Sequence, residues 1–375
     1  MRQIDEFTIQ RFRGLRDLKL EELGQVNLLV GGNNTGKTSV LEALSIFCDP
    51  LNFRTWFNAV TMREITSGPY RLSLRNQLLW LFPQNRSEIS AENSDIALYA
   101  TGNSPREKVS ARYETFSEIN PENSSYVLED RMGNAVGIPG ESEGIRVYVT
   151  TAMRRDKPLL REQKVEDVIA LFEIREGKDN PIEKYVSYAL PQQFISAPSH
   201  RLNDLPLLIW SQAVTANMKK ETIALMQLFD ADIEDVNIVT PTPRQTFVSV
   251  KHKRLGHGPL STFGDGLRHA FTLASAIPGA RNGLLLVDEL EEAIHVDVLG
   301  KVFSWLIQAC IRNNVQIFAT THSLEAIDYI IDACSEEPID LVAYRLEQYQ
   351  NQIIVNRLDK GLLTRLRENL SMEVR

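Results

Sequence analysis

Gly31-Gly32-Asn33-Asn34-Thr35-Gly36-Lys37-Thr38 matches the pattern G-x-x-x-x-G-K-[ST] in full. The chemistry of that pattern is specific. Glycines let backbone amides curl around phosphate oxygens at the start of a helix, the lysine reaches the outer phosphates, and the threonine hydroxyl faces a divalent cation. Ser39 offers one more hydroxyl beside the phosphates. The flanks agree with this assignment. Residues 26–30 form an apolar run suited to a buried strand, and Val40, Leu41, Leu44 and Phe47 recur at helical spacing. The unit is therefore strand, glycine loop, helix, which a chance glycine turn lacks.

Two later stretches supply what a phosphate loop needs for turnover. Leu284-Leu285-Leu286-Val287-Asp288-Glu289 has four apolar residues, enough for a central strand, with two carboxylates at its C-terminal end. Asp288 is expected to hold Mg²⁺ through water, and Glu289 to orient and deprotonate an attacking water. Gln316-Ile317-Phe318-Ala319-Thr320-Thr321-His322-Ser323 is a second apolar strand ending in small polar residues and a histidine. His322 is expected to sense the γ-phosphate or the attacking water. Without the other motifs, a helix cap by Thr321 or Ser323 would explain it as well.

Strand and helix patterns alternate from residue 284 onward, at 284–287, 296–313, 316–319 and 324–334, implying a mostly parallel sheet. Residues 4–12 alternate like a strand. The middle is less regular, with a helical pattern at 64–81, strand patterns at 95–116 and 125–128, and a glycine-rich stretch at 133–144 that reads as a flexible segment of a β region. Residues 202–229 carry helical periodicity, followed by a strand at 246–251 and a helix starting near Gly264. The tail at 341–346, 352–357 and 362–370 reads as a terminal hairpin and helix.

Composition excludes several classes. At 43% hydrophobic and 24% charged, the 375-residue chain can build a large core, and its apolar runs fall well short of the roughly 18 residues that span a bilayer. No signal-peptide pattern opens it, so a cytoplasmic protein with no membrane association is expected. Cys48, Cys310 and Cys334 are scattered, which suggests packing residues rather than disulfides or zinc. The net charge of −8 opposes a general attraction to nucleic acid, leaving Arg154-Arg155-Asp156-Lys157 and Lys251-His252-Lys253-Arg254 as the local stretches able to meet its phosphates.

The order of glycine loop, Leu260-Ser261-Thr262-Phe263-Gly264-Asp265-Gly266, Asp-Glu strand and Thr-His-Ser resembles ABC-type ATPases, in the branch holding RecF, the SMC proteins and OLD-family ATPases. Within it, the chain is most similar to small stand-alone OLD-like AAA ATPases, matching residues 27–31, 33–38 and 263–266, Asp288-Glu289-Leu290-Glu291, and His295. The resemblance implies an α/β P-loop NTPase fold of ABC type, with a mostly parallel central sheet, an antiparallel β region and a helical lobe. It implies a single two-lobed domain over 1–375: a P-loop and β-rich part to 200, helical lobe and strand at 201–260, a signature-like and catalytic part at 261–340, and a terminal hairpin and helix at 341–375. ATP and Mg²⁺ are the implied cofactors, with Gly31, Asn33, Asn34, Thr35, Gly36, Lys37, Thr38 and Ser39 on the nucleotide.

In such ATPases the signature Leu-Ser-Gly-Gly-Gln contacts the γ-phosphate held by an opposite subunit, which implies a homodimer or higher homo-oligomer with Ser261, Thr262, Gly264 and Gly266 acting in trans. Matching the leading Leu-Ser selects Ser261, and aligning Arg268 selects Thr262. Glu291 and His295, four apart, are expected to share a helical face, where they form an ion pair or line the dimer seam. Gln192 and Gln193 are candidates for a glutamine loop. The residues after His322 lack the Asp-x-Asp pair of a Toprim nuclease. A nuclease or toxin effector is accordingly expected as a separate chain, with nucleic acid as an alternative load and antiphage defence or DNA repair as the setting. A substrate kinase would need a second acid/base constellation, and a GTPase an Asn-Lys-x-Asp motif; neither is present.

Overall fold

The computed structural model describes residues 2–61, 72–84, 95–129, 135–153, 168–175, 189–202, 204–335, 338–350 and 352–368; of these, 118–129, 135–142, 168–170, 175 and 368 are described by backbone alone. In chain order the strands are β1 (Ile4–Phe12), β2 (Leu15–Leu20), β3 (Val26–Gly31), β4 (Ile96–Gly102), β5 (Arg106–Glu129), β6 (Ala135–Met153), β7 (Val168–Arg175), β8 (Gln192–Ile195), β9 (Ile233–Thr242), β10 (Gln245–His252), β11 (Gly256–Pro259), β12 (Leu284–Val287), β13 (Gln316–Thr320), β14 (Leu341–Tyr349) and β15 (Gln352–Asp359). The helices are α1 (Lys37–Cys48), α2 (Phe53–Thr61), α3 (Leu74–Leu79), α4 (Asp204–Thr215), α5 (Lys219–Met226), α6 (Asp265–Ala276), α7 (Val296–Arg312), α8 (Leu324–Ala333) and α9 (Lys360–Glu368).

A central sheet has the order β15-β14-β3-β13-β12-β8, parallel except for the edge strand β15. Every residue of β3, β12 and β13 is buried, because both faces are covered. Side-chain alternation divides these strands between two cores. Leu28, Val30, Leu285, Val287, Ile317 and Ala319 pack with Phe271 of α6, Phe303 of α7 and Ile327 of α8. Leu29, Leu284, Leu286 and Phe318 pack with Val40, Leu44 and Phe47 of α1 and with Phe7 and Ile9 of β1. Each such fully buried large apolar side chain contributes about 1.5–3 kcal/mol.

The second core is closed by an antiparallel sheet ordered β2-β1-β4-β5-β6-β7. Gln316, fully buried in β13, ties this sheet to the central one. Its Oε1 accepts from the Gln3 and Ile4 amides at 3.0 Å each, and its Nε2 donates to the Ile4 and Gly24 carbonyls at 2.9 and 2.8 Å. The polar ends of one glutamine are thus fully used, which removes the cost of burying it. A third, three-stranded sheet, β11-β10-β9, stands beside α4 and α5.

Some expectations change. The glycine-rich stretch read as flexible enters strand β6 from Ala135 and pairs with β5 as far as Glu129↔Ala135. Backbone pairing needs no apolar alternation, so the pattern there gave no strand signal. Of the helix expected at 64–81, residues 64–71 lie outside the described residues and α3 occupies Leu74–Leu79. The basic stretch at 154–157 also lies outside them. Strand β14 of the terminal hairpin pairs in parallel with β3, placing Leu346 beside Gly31, so the hairpin extends the central sheet. The three cysteines are buried and free, and burial pushes the thiols of Cys48 and Cys334 up to about 12. No helix among the described residues is long and apolar enough to cross a membrane.

Candidate functional site

Strand β3 delivers the glycine loop to the C-terminal edge of the central sheet, where ligands sit in open α/β folds. Gly36 has φ 90° and Asn34 φ 62°, both in the left-handed region. A Cβ on Gly36 would lie 2.6 Å from Leu15 Cδ2, so close approach as well as backbone conformation demands glycine there. Thr35 Oγ1 donates to the Gly32 carbonyl at 2.9 Å and closes the loop on itself. Gly32, Asn33 and Asn34 are exposed at the N-terminal end of α1, whose first amides lack partners within the helix.

Lys37 opens α1 and folds back, Nζ donating to the Gly31 and Gly32 carbonyls at 2.9 and 2.7 Å. Burial pushes its ammonium pKa below the ordinary value, and the nearby Asp288 and Glu289 charges oppose that shift. The next residue, Thr38, places Oγ1 3.1 Å from each oxygen of Asp288. The hydroxyl and carboxylate are hard oxygen donors from two elements, a set that fits Mg²⁺.

Sheet order explains how residues 250 positions apart meet. β13 lies between β3 and β12, with Thr320 beside Leu29 and Ala319 beside Val287, so the strand ends carrying Gly31, Thr320 and Asp288 line up. Thr320 makes the join. Its Oγ1 donates to Asp288 Oδ1 at 2.7 Å and accepts from the Glu289 amide at 2.8 Å. The sequence motifs did not single it out, although a hydroxyl at the end of a buried strand beside the acidic one was a usable signal.

Glu289 adopts φ 54°, a left-handed conformation that a non-glycine residue holds only when its surroundings enforce it. The enforcing bonds are those donated by the Glu289 amide to Thr320 Oγ1 and by the Leu290 amide to the Thr320 carbonyl at 3.0 Å. Burial, then the charges of Asp288, Glu292 and Glu291, raise the Glu289 carboxyl above its ordinary 4.5, against the pull of Lys37. Replacing Thr320 with valine keeps the volume and deletes both bonds of its hydroxyl, to Asp288 and from the Glu289 amide, while the backbone carbonyl stays. We expect kcat to fall about tenfold or more while the Kd for ATP moves less than that, as steady-state kinetics beside equilibrium binding will show.

Glu291 does not share a helix face with His295. It lies in the turn before α7, where Oε1 accepts from the His322 and Ser323 amides at 2.9 and 3.0 Å, and so fixes the backbone of the Thr-His-Ser segment. His295 instead caps α7, its Nδ1 accepting from the Asp297 amide at 3.4 Å. The left-handed Ala293, φ 60°, breaks the helical register that the four-residue spacing assumed. Gln192 and Gln193 also miss the site. They align with Leu284 and Leu285 at the start of β12, while the C-terminal edge is reached by Ile195, whose carbonyl accepts from the Asp288 amide at 2.8 Å.

The signature-like segment forms a short 3₁₀ turn, Leu260–Thr262, followed by α6. Ser261 and Thr262 are both exposed, but Thr262 Oγ1 already donates to the Pro259 carbonyl at 2.7 Å. Gly264 is exposed with open space around it, whereas a Cβ on Gly266 would meet the Ala293 carbonyl at 2.5 Å. Gly266 therefore serves close packing of α6 on the turn after Glu289. His269 of α6 reaches the same turn, Nε2 lying 3.3 Å from the Leu290 carbonyl.

The basic stretch at 251–254 is not a free cationic patch. Lys251 pairs with Glu234 at 2.8 Å and Arg254 with Asp232 at 2.5 Å. Asp230, Asp232 and His252 cluster closely enough to suggest a metal, yet His252 Nδ1 accepts from the Arg254 and Leu255 amides. Its proton accordingly sits on Nε2, which donates to Asp230 at 3.1 Å and offers no lone pair to an ion.

Comparison with known proteins places these features among relatives. Residues 26–328 match the family profile described as "AAA domain, putative AbiEii toxin, Type IV TA system". An ATP/GTP phosphatase of Helicobacter pylori is 20% identical over 363 residues, 89% of each chain. Two uncharacterised Methanocaldococcus jannaschii proteins match shorter stretches. One is 30% identical over 112 residues, 30% of this chain and 98% of its own; the other is 54% identical over 44 residues, 12% of this chain and 20% of its own. Among solved structures, an SMC head bound to the C-terminal winged-helix domain of ScpA aligns over 96% of this chain and 98% of its own, at 10% identity and TM-score 0.47. The SMC head domain from Thermotoga maritima aligns over 95% and 99%, at 9% identity and TM-score 0.40.

Proposed function

The chain belongs to this AAA-domain family of P-loop ATPases, and we propose that it binds ATP with Mg²⁺, hydrolyses it, and uses the bound nucleotide to hold two copies together. One observation carries the catalytic half: the hydrogen-bonded line from Thr38 through Asp288 and Thr320 to the Glu289 amide, at 3.1, 2.7 and 2.8 Å, which joins the phosphate loop to the candidate base.

The loop amides over Gly31–Thr38, with Asn33 and Asn34 at its exposed crest, cradle the phosphates, and Lys37 exchanges its carbonyl partners for phosphate oxygens. Thr38 and Asp288 hold Mg²⁺, which when bound neutralises charge on the phosphates. Ser39, in the first turn of α1, lies beside the same phosphates. Glu289, anchored by Thr320, takes the proton of the attacking water. Its raised pKa suits a base, since a stronger base removes that proton more readily. His322, its amide held by Glu291, faces the γ-phosphate as a sensor.

In the dimer, the second copy presents Ser261 and the amides after Gly264 to the γ-phosphate. Ser261 is the better donor because the Thr262 hydroxyl proton is spent on Pro259. Closure stabilised by ATP and release after hydrolysis make the nucleotide a population switch. We assign this cycle to one two-lobed domain over 1–375 of the OLD-like kind, working in the cytoplasm. The family's toxin–antitoxin description favours a further reading in which slow turnover gates a separate toxin or nuclease subunit, in phage defence or DNA repair.

The test is mass in solution with ATP and Mg²⁺. Wild type is expected as a dimer. Ser261→Asp, which sets a negative charge against phosphate, is expected to remain monomeric with one ATP per chain, and Thr262→Val to dimerise. A wild type that stays monomeric at every ATP concentration removes the shared-site half of the proposal.

A further inference from the structure

The left-handed backbone of Glu289, φ 54°, persists only where its neighbours over-determine it, and the bonds that do so reach beyond β13. Leu290, the next residue and almost fully buried, is tied on both sides. Its amide donates to the Thr320 carbonyl at 3.0 Å, and its carbonyl lies 3.3 Å from His269 Nε2 on α6. A carbonyl has no proton to give, so Nε2 carries the proton and donates it.

The environment of His269 leaves that bond as its one polar task. The side chain is fully buried, and its ring stands edge-on to the His200 ring, with centroids 5.4 Å apart and planes at 82°, which fixes the direction in which Nε2 points. Nδ1 is buried without a hydrogen-bond partner, a cost that an apolar side chain of similar size would avoid. Burial, then the neighbouring His200, push the ring's pKa down to about 4 against the pull of the Leu290 carbonyl, so the imidazole is neutral at physiological pH. Two further contacts join the same elements. A Cβ on Gly266 would lie 2.5 Å from the Ala293 carbonyl, and Arg201 pairs with Asp265 at 3.1 Å while reaching Glu292 at 4.0 Å. The first turns of α6 thus lie against residues 290–293, the turn that follows Glu289.

We infer that His269 is a positioning residue for Glu289: by holding the Leu290 carbonyl from α6, it keeps the backbone of Glu289 in the conformation from which the carboxylate acts. The inference rests on Glu289 being the base. It adds that the base is steadied from two directions, by Thr320 of β13 and by His269 of the helix that follows the signature-like turn.

The experiment compares full-length His269→Leu, His269→Gln and His269→Asn by steady-state hydrolysis and equilibrium ATP binding. Leucine fills the buried site and removes the donor. Glutamine returns an N–H near the position of Nε2, and asparagine, one carbon shorter, holds its amide back from Leu290. His269→Leu is expected to lower kcat by about three- to tenfold, the value of one neutral hydrogen bond, with the Kd for ATP unchanged. His269→Gln is expected to recover most of the rate and His269→Asn to recover none, a distinction that a packing role would not make. Added to Glu289→Gln, His269→Leu is expected to cost nothing further, because the group it positions is already gone. Equal kcat in wild type and His269→Leu overturns the inference. So does asparagine rescuing as well as glutamine, or a loss of the same size with and without the Glu289 carboxylate. The glutamine and asparagine pair decides the matter even where leucine unfolds the chain. Full hydrolysis by Glu289→Gln is a different result, removing the base itself and this inference with it.

Discussion

Glu289→Gln is expected to lower ATP turnover by about 10²- to 10⁴-fold, the value of a positioned general base, while ATP still binds and the closed dimer accumulates. The amide has the size of the carboxyl and leaves the backbone bond from Glu289 to Thr320 in place, so the site keeps its shape. What disappears is the proton acceptor. Single-turnover hydrolysis, bound ATP per chain and mass in ATP separate these effects. The pH dependence follows from the raised carboxyl. As a base Glu289 must be ionised, so the acid limb of kcat/KM in wild type is expected above pH 4.5, and the residual activity of the variant should lack that limb. Stability moves in the corresponding direction. A carboxyl whose pKa is higher in the folded chain loses stability as pH rises from the unfolded value through the folded one, so the glutamine variant is expected to melt at the same temperature or higher at pH 7. Hydrolysis at the wild-type rate in the variant would remove Glu289 from the mechanism.

The phosphate loop, the acidic strand and the Thr-His-Ser strand were legible because each couples a buried apolar run, visible as composition, to chemistry at its C-terminal end. Their meeting was not legible. It depends on β13 inserting between β3 and β12, and no local pattern records which strands become neighbours. Thr320 was missed for the same reason: its importance comes from lying between two other strands. The four-residue spacing of Glu291 and His295 misled because one left-handed residue, Ala293, is enough to abolish helical periodicity. At the signature-like segment, sequence left Ser261 and Thr262 level, and the donation of the Thr262 hydroxyl to the Pro259 carbonyl lay beyond any local pattern. Gly266 looked like a phosphate-contacting glycine, and a Cβ there would also meet the Ala293 carbonyl at 2.5 Å, a close approach between segments that no spacing rule anticipates. The hairpin β14–β15 was read correctly as a local unit, yet its parallel pairing with β3 was beyond local pattern.

Lys37→Ala should abolish hydrolysis by the opposite route, weakening ATP binding by about a hundredfold or more and leaving the protein monomeric in ATP. The ammonium lies buried between the loop carbonyls and the acidic pair, and its lowered pKa records the cost of holding a charge where water is scarce. Phosphate oxygens repay that cost far better than carbonyls, because a full negative charge then faces the ammonium at low local dielectric. Removing it leaves the nucleotide's own charge facing Asp288 and Glu289 with no cation supplied by the loop. The fold should persist, since the deleted group is a buried charge and the core beneath the loop, with Leu29, Val40 and Phe318, is left unchanged. The melting temperature is therefore expected to stay within a few degrees of wild type, a check that separates lost binding from lost structure. Both variants would be inactive, yet one holds ATP as a dimer and the other neither holds it nor dimerises. If Lys37→Ala binds ATP as tightly as wild type, the loop at Gly31–Thr38 is not where the nucleotide sits.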